Sequence, residues 1–67
     1  MKYEIYKISQ EEFKGYEEYR KTYEVYIETV EALSERSAQV KARKIFKHNG
    51  WRCRFSGIGA NAFLKQI

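Results

Sequence analysis

The chain of 67 residues and 8.1 kDa is long enough for one small domain and too short for a second. It carries 13 Lys+Arg against 9 Asp+Glu, a net charge of +4, with one His, one Cys and no Pro. A chain this short buries only about 60% of its unfolded surface, which disfavours a deep substrate pocket, and so few catalytic groups disfavour an enzyme. We expect a single domain over residues 1–67 that binds a partner and carries no cofactor.

The composition also excludes other classes of protein. A hydrophobic fraction of 43%, with 6 Tyr, 4 Phe and 1 Trp, argues against a disordered chain. No apolar run approaches the roughly 18 residues of a membrane helix, and none near Met1 resembles a signal peptide. The single Cys53 fits a reducing compartment. These features predict a cytoplasmic protein, in the host cytoplasm if it is viral, with no membrane partner.

The first half of the chain predicts two strands. Residues 2–8 alternate in polarity and form a short strand-like segment. Residues 22–32 give the clearest strand, in which Tyr23, Val25 and Ile27 point to one face and the intervening residues to the other.

The connection over residues 9–21 has two interpretations. The run from Ser9 to Glu12 matches a capping box, which indicates a short helix or an ordered loop. The alternative is a long hairpin that turns at residues 14–15. That hairpin would set Glu12 opposite Glu17, a repulsive cross-strand pair, so we favour the helix or loop.

The second half predicts one main helix over about 34–49, followed by strands. Ser34 is a suitable N-cap, and Gly50 suits the position just after the helix. Residues 51–55 alternate and predict a strand, residues 57–61 a turn, and residues 62–67 a last short strand. The buried helix positions complete the expected core, which comprises Tyr3, Ile5, Tyr23, Val25, Ile27, Ala38, Ala42, Ile45, Phe46, Trp51, Cys53 and Phe55.

These elements define a small two-layer α+β domain. We expect a three- to four-stranded, mainly antiparallel sheet with the helix on one face, in the order β-(short helix or loop)-β-α-β-β. The strand order within the sheet stays open. Exposed sheet edges leave a homodimer open as well.

The charge is distributed unevenly along the chain. Residues 1–33 hold five bases and eight Glu, a net −3, whereas residues 34–67 hold eight bases and one acid, a net +7. Such asymmetry indicates an oriented electrostatic contact with a partner. Helical spacing sends four of the bases away from the buried alanines, and they are the candidate surface for an acidic protein or a nucleic acid: Arg36, Arg43, Lys44 and Lys47. The alternative is a solvated helix face.

Two further bases belong to the expected strand at residues 51–55. Arg52 and Arg54 would lie on the open sheet face with Tyr6 and Tyr26, an arrangement typical of platforms for single-stranded nucleic acid. The alternative is that they pair with glutamates of the same face and are structural.

Little else points to chemistry. Cys53 and His48 are conceivable as a nucleophile pair, but the thiol falls on the expected core face, and two ligands are too few for a zinc site. No metal site is therefore expected. Tyr16 and Tyr19, in the acidic connection, are candidates for a protein contact because tyrosine is a favoured interface residue.

Part of the chain resembles small phage and mobile-element accessory proteins of the anti-CRISPR type. A strand over residues 23–32 enters a capped helix with buried alanines and leaves through a glycine into another strand, on Ser34, Ala38, Ala42, Gly50, Trp51 and Phe55. The resemblance implies a stoichiometric inhibitor that occupies a nucleic-acid-binding or assembly surface of a larger machine. We therefore expect a binding protein for a protein or nucleoprotein partner, with direct binding of DNA or RNA as the alternative.

Overall fold

A computed structural model of the chain describes residues 1–12 and 20–67. It contains a three-stranded antiparallel sheet in the order β2-β1-β3 with one helix packed against it. This architecture confirms the small α+β domain, and the sheet has three strands rather than four in the described part of the chain. The elements are β1 (Lys2–Glu12), β2 (Arg20–Glu31), α1 (Glu35–His48) and β3 (Ala62–Gln66).

β1 is longer than the sequence predicts, because it continues through the segment assigned to a capping box. Its last residue, Glu12, pairs with Arg20, and Glu11 pairs with Lys21. The hairpin that joins them is thus longer than the one weighed from the sequence, and its register aligns acidic with basic residues. The prediction of a helix or loop from residue 9 is wrong for residues 9–12, and residues 13–19 lie outside the described part.

The β1–β2 ladder contains a bulge that changes which residues of β2 share a face. Ile5 pairs with Glu28 and Tyr6 pairs with Tyr26, so Ile27 has no partner of its own on β1. An extra residue of this kind bends a strand and reverses the side-chain alternation beyond it. Val30 therefore joins the face that packs against α1, although the regular alternation predicted from the sequence does not include it.

α1 begins and ends at the residues that the sequence predicts. The Ser34 hydroxyl accepts a hydrogen bond from the N–H of Ser37 (3.3 Å), and the Ser37 hydroxyl accepts one from the N–H of Ser34 (3.1 Å). These two bonds close the first turn as a capping box. At the other end, Asn49 caps the helix and Gly50 adopts a positive φ of 74°, which glycine tolerates best.

The core lies between α1 and the first half of β1. Ala38, Ala42 and Phe46 on the helix and Ile5 on the strand are fully buried. Small alanines at the contact let the helix axis lie close to the sheet, so Phe46 can fill the space between them. Half-buried side chains surround this centre, among them Ile27, Val30, Ile45, Trp51, Cys53, Phe55 and Leu64.

Two of the expected core residues are not buried. Tyr23 and Val25 are each 37% exposed. Val25 pairs with Lys7, the residue at which β3 also stops pairing with β1, and Tyr23 pairs with Ser9 beyond it. The far half of the β1–β2 hairpin thus extends past the third strand, and Val25 and Tyr23 there are less covered than the core residues. The sequence analysis missed Val30, Ala32, Ala62 and Leu64.

Residues 51–55 do not form the predicted strand. Their alternation is correct for burial, because Trp51, Cys53 and Phe55 pack against the core while the residues between them are exposed. However, the main-chain pairing of this segment is limited: the Arg54 carbonyl accepts from the N–H of Asn61 (2.9 Å) and of Ala62 (3.1 Å), and no strand ladder continues from there in the described part of the chain. The last strand is confirmed at Ala62–Gln66. Within residues 1–12 and 20–67, no helix has the length and apolar character to cross a membrane.

Candidate functional site

The outward face of α1 carries four basic residues, which we call the basic helix surface: Arg36, Arg43, Lys44 and Lys47. All four are exposed, and Val40 among them is 45% exposed. The alanines and Phe46 take the buried stripe of the helix, so positions at other angles around the axis must point to solvent. The sequence prediction of an exposed basic stripe is therefore confirmed in its geometry.

Arg43 differs from the other three in its contacts. Its guanidinium carbon lies 5.4 Å from the centre of the Phe55 ring, which is within the range of a cation–π interaction. This contact draws Arg43 toward the flank of α1 and away from the point opposite the buried stripe. The arginine is thus held at the edge of the surface by the segment that follows the helix.

The basic helix surface has no acidic partner among the described side chains. Among the side chains that the structure describes, an ion pair joins Lys65 Nζ to Glu24 Oε2 at 3.6 Å, within the sheet. Glu35 is the single acid in residues 34–67. The positive charge of the helix is therefore left for solvent or for a partner.

Arg52 and Arg54 are exposed, but they do not lie on the open sheet face as predicted. The side chain of Asn61 holds this segment: its Oδ1 accepts from the N–H of Arg54 (2.8 Å) and its Nδ2 donates to the carbonyl of Arg52 (2.6 Å). The Arg54 Nε also donates to the carbonyl of Ser56 (3.1 Å). These local bonds replace a strand ladder, so the predicted platform of arginines and tyrosines does not form.

A different set of side chains occupies the open face of the sheet, the face away from α1. Tyr6 lies at its centre, with the Tyr26 ring edge-on at 5.8 Å and the Phe63 ring stacked at 5.0 Å and 6°. We call these three residues the aromatic cluster. The shared face of Tyr6 and Tyr26 agrees with the sequence analysis, whereas Phe63 was missed.

Lys65 is a cation of this face. Its Nζ lies 4.8 Å from the Tyr6 ring centre and 5.7 Å from that of Phe63, and it also pairs with Glu24. The Tyr6 hydroxyl donates to Glu4 Oε1 at 3.3 Å. Partial burial raises the pKa of Tyr6, the Glu4 carboxylate raises it further, and Lys65 opposes them. The open face thus carries nearly balanced charge, which does not favour phosphate binding.

The alternation of side chains along a strand over residues 62–66 could have placed Phe63 and Lys65 on one face of that strand. The sequence does not reveal that β3 pairs with β1 rather than with β2, so their meeting with Tyr6 was not predicted. The other proposed contact residues, Tyr16 and Tyr19, lie outside the described residues.

The described residues contain little reactive chemistry. Burial raises the pKa of the Cys53 thiol, an effect that the nearby Arg43 partly offsets. A thiol with a raised pKa is a poor nucleophile at neutral pH. No group of three or more His, Cys, Asp or Glu side chains that could hold a metal ion occurs in the described portion.

A shallow cavity of about 420 Å³ opens beside the start of α1. Lys41 spans one side of it, where its Nζ donates to the carbonyl of Glu31. Leu33 at the rim is 91% exposed. The cavity holds no cluster of polar groups that would orient a small molecule.

In comparisons with known proteins, no protein-family model, curated protein or solved structure matches this chain. The geometry of the surfaces therefore carries the functional argument.

Proposed function

We propose that this protein is a non-enzymatic binding protein that attaches stoichiometrically, through the basic helix surface, to an acidic region of a protein or nucleoprotein partner. The observation that carries the proposal is that this surface is fully presented to solvent with no acidic partner among the described side chains. Charged groups arranged in this way attract and orient a partner of opposite charge.

The division of charge between the two halves of the chain supports an oriented contact. The chain segment that contains α1 and β3 carries +7, and the segment that contains β1 and β2 carries −3. On the open face, Glu4 and Glu24 offset the charge of Lys65. An acidic partner is therefore drawn to the helix side and repelled or ignored by the other.

Helix stability alone does not explain this surface. Cations near the C-terminus of a helix interact favourably with its dipole, which accounts for Lys44 and Lys47. Arg36 lies in the first turn of α1, where the dipole disfavours a positive charge. Its exposed guanidinium has no compensating ion pair with any described side chain, which supports a role outside the fold.

The environment of the single cysteine supports binding over catalysis. Cys53 is half-buried, and burial raises its pKa. A nucleophilic cysteine needs a stabilised thiolate, and the local structure favours the protonated thiol instead.

An inhibitory role of anti-defence type, in a phage or mobile element, belongs to the same proposal and rests on the resemblance of the sequence pattern over residues 23–55. A stoichiometric inhibitor needs an accessible, charged face and no reactive centre. The basic helix surface and the protonated Cys53 thiol are compatible with that requirement.

The proposal is tested by capturing partners from a host lysate with the full chain, before and after nuclease treatment. The informative variant is Arg36→Gln/Lys47→Gln, which lowers the net charge from +4 to +2 on the helix. Its matched control, Lys2→Gln/Lys65→Gln, reaches the same +2 on the sheet. We expect the helix variant to lose capture and the control to keep it. Equal capture by both variants would refute the proposal.

Direct nucleic-acid binding is the alternative, because no acid other than Glu35 interrupts the basic run of residues 34–67. Four phosphate contacts with duplex DNA would give a log–log salt slope of about −3.6, from roughly 0.9 per contact. Nuclease-resistant capture together with no binding to duplex or single strand at low salt would exclude this alternative. The protein-partner proposal would then stand.

A further inference from the structure

The outer edge of β2 is the longest unpaired strand edge in the part of the chain that the structure describes. In the sheet order β2-β1-β3, β2 has one neighbour, and it runs for twelve residues over Arg20–Glu31. The other outer strand, β3, has five residues. A long edge presents a row of main-chain N–H and C=O groups that can pair with another strand. The Glu31 carbonyl at the end of this edge already accepts from Lys41 Nζ, and one carbonyl can accept a second hydrogen bond.

Hydrogen bonds of β1 establish which residues of β2 turn these groups outward. The N–H of Ile8 donates to the carbonyl of Asn61 (2.8 Å), and the carbonyl of Lys2 accepts from the N–H of Ile67 (2.9 Å). Because main-chain direction alternates along a strand, even-numbered residues of β1 bond toward β3 and odd-numbered ones toward β2. The β2 residues opposite the even-numbered ones therefore face outward: Arg20, Thr22, Glu24, Tyr26, Thr29 and Glu31.

The outward residues of β2 can pair with the outward residues of β2 in a second copy of the chain. When two β2 strands run antiparallel about a two-fold axis at Val25, Glu24 of one copy lies opposite Tyr26 of the other. Ile27 is then left out of the pairing, as it is against β1. Beyond it, Thr22 falls opposite Thr29. Each outward residue thus meets another outward residue, which an antiparallel ladder requires, and the bulge is accommodated.

The charges along β2 favour the same orientation. The strand begins with Arg20 and Lys21 and carries Glu28 and Glu31 toward its end. Antiparallel pairing sets the basic end of one copy beside the acidic end of the other, with Arg20 opposite Glu31. No two residues of like charge are directly opposed in this register, whereas like charges across strands are destabilising.

From this edge we infer that a second copy of the chain binds β2 in an antiparallel register centred on Val25, which creates a continuous six-stranded sheet. The two-fold axis is perpendicular to the sheet, so both α1 helices lie on the same side. Two basic helix surfaces then face one direction. The dimer does not depend on what those surfaces bind, so its test is separate from that of the proposed function.

Sedimentation equilibrium of the full chain tests the inference. We expect the mass to rise with concentration from 8.1 kDa toward twice that value. Val25→Lys sets two like charges against each other at the axis and should weaken dimerisation at least about fivefold. The matched control Val40→Lys, at the exposed position on α1, should leave dimerisation unchanged. A wild-type mass of 8.1 kDa at all concentrations, or equal weakening by both variants, would overturn the inference.

Cross-linking tests the register. Directly opposed residues of a non-hydrogen-bonded pair have Cα atoms about 4.5 Å apart, within the roughly 4.4–6.8 Å that a disulfide spans. In a Cys53→Ser background, Val25→Cys should form a covalent dimer on oxidation, and Val40→Cys should not. Equal cross-linking of the two variants would contradict the proposed register.

Amide hydrogen exchange supplies a measurement that needs no variant. The N–H groups of Glu24 and Tyr26 should exchange more slowly as the concentration rises, because they enter the new ladder. The N–H of Leu64 faces outward from β3, since its partner Ile5 bonds toward β2. Its exchange should not change with concentration, and a parallel slowing at Leu64 would count against a specific β2 edge.

Discussion

The two faces of the sheet are covered in different ways. On the face toward α1, Ile5, Ala42 and Phe46 are fully buried and pack against other apolar side chains. On the open face, Tyr6 is half-buried and its contacts are ring edges, ring faces and charged side chains.

This difference follows from the size of the chain. A 67-residue protein whose described residues form one helix can cover one face of its sheet with that helix. The covered face gains free energy from apolar area removed from water, at roughly 25 cal/mol per Å². The open face must gain it from aromatic pairs, worth about 0.5–1.5 kcal/mol each beyond area burial, and from weak exposed ion pairs. Loss of one side chain should therefore cost much more on the covered face.

The largest expected effect comes from the change Phe46→Ala. Phe46 is fully buried and contacts the Trp51 ring edge-on at 5.6 Å. Removing a buried phenylalanine costs about 3–5 kcal/mol, which is comparable with the whole stability of about 3–10 kcal/mol that a domain of this size has. Urea unfolding followed by circular dichroism should show a variant that is largely unfolded without denaturant.

Phe63→Ala is the matched control on the open face. The same residue type is removed there, but its side chain is half-buried and stacks on Tyr6. We expect a loss of about 2 kcal/mol in the free energy of unfolding, from the aromatic pair and the partly buried apolar area together. Similar losses for the two variants would mean that the open face contributes as much as the covered one, contrary to the comparison.

Adding volume to the covered face should have a smaller effect on stability than the change Phe46→Ala. Ala42 is fully buried where α1 approaches the sheet, so Ala42→Leu should push the layers apart and cost about 1–3 kcal/mol. Val40→Leu on the outward side of the same helix should change stability by no more than about 0.5 kcal/mol. Thermal unfolding midpoints measure both, and an unchanged midpoint for Ala42→Leu would show that the contact is looser than the structure indicates.

The helix and its basic surface could be predicted because their signals are local. Ser34, the buried alanines and Gly50 each act within one or two turns of the helix, and the structure places its ends within one residue of the prediction. The outward bases follow from the same periodicity. Little of this depends on distant parts of the chain.

The β1–β2 hairpin was harder to predict because its register is set at a distance. The local pattern from Ser9 to Glu12 favours a helix start, and a tight turn would oppose like charges. A connection over residues 13–19 changes the partners to Arg20 and Lys21. The pairing of opposite charges across the ladder is not visible until the length of the connection is known.

The segment at residues 51–55 shows that alternation predicts burial more reliably than it predicts a strand. Trp51 and Phe55 do turn inward, but a strand also needs a continuous ladder of main-chain hydrogen bonds with a neighbour. Asn61, which a sequence pattern assigns to a turn, bonds to this segment instead through its side chain. The sequence analysis found only part of the aromatic cluster, because Phe63 reaches Tyr6 through the position of β3 beside β1.

The smallest expected effect concerns charge on the open face, measured as the pKa of Tyr6. Partial burial, then the Glu4 carboxylate, raise this pKa above 10.0, while Lys65 lowers it. Glu4→Gln should therefore bring the pKa closer to its ordinary value, and Lys65→Met should raise it further. NMR of the labelled tyrosine ring across alkaline pH measures both. Opposite directions for the two variants support an electrostatic open face, and identical shifts would contradict it.

The same pKa determines how stability responds to alkaline pH. Because the folded protein holds the phenol proton more tightly than the unfolded chain, this contribution is complete below about pH 10 and is lost as the pH rises through the folded pKa of Tyr6. Glu4→Gln narrows the gap between the folded and unfolded pKa of Tyr6. The free energy of unfolding of this variant should therefore fall less steeply at alkaline pH than that of the wild type. Lys65→Met widens this gap in pKa, so the free energy of unfolding should fall more steeply. Substitutions away from the open face that keep the fold, such as Val40→Leu on the outward side of α1, leave Tyr6 and its charged neighbours in place and should not alter the slope.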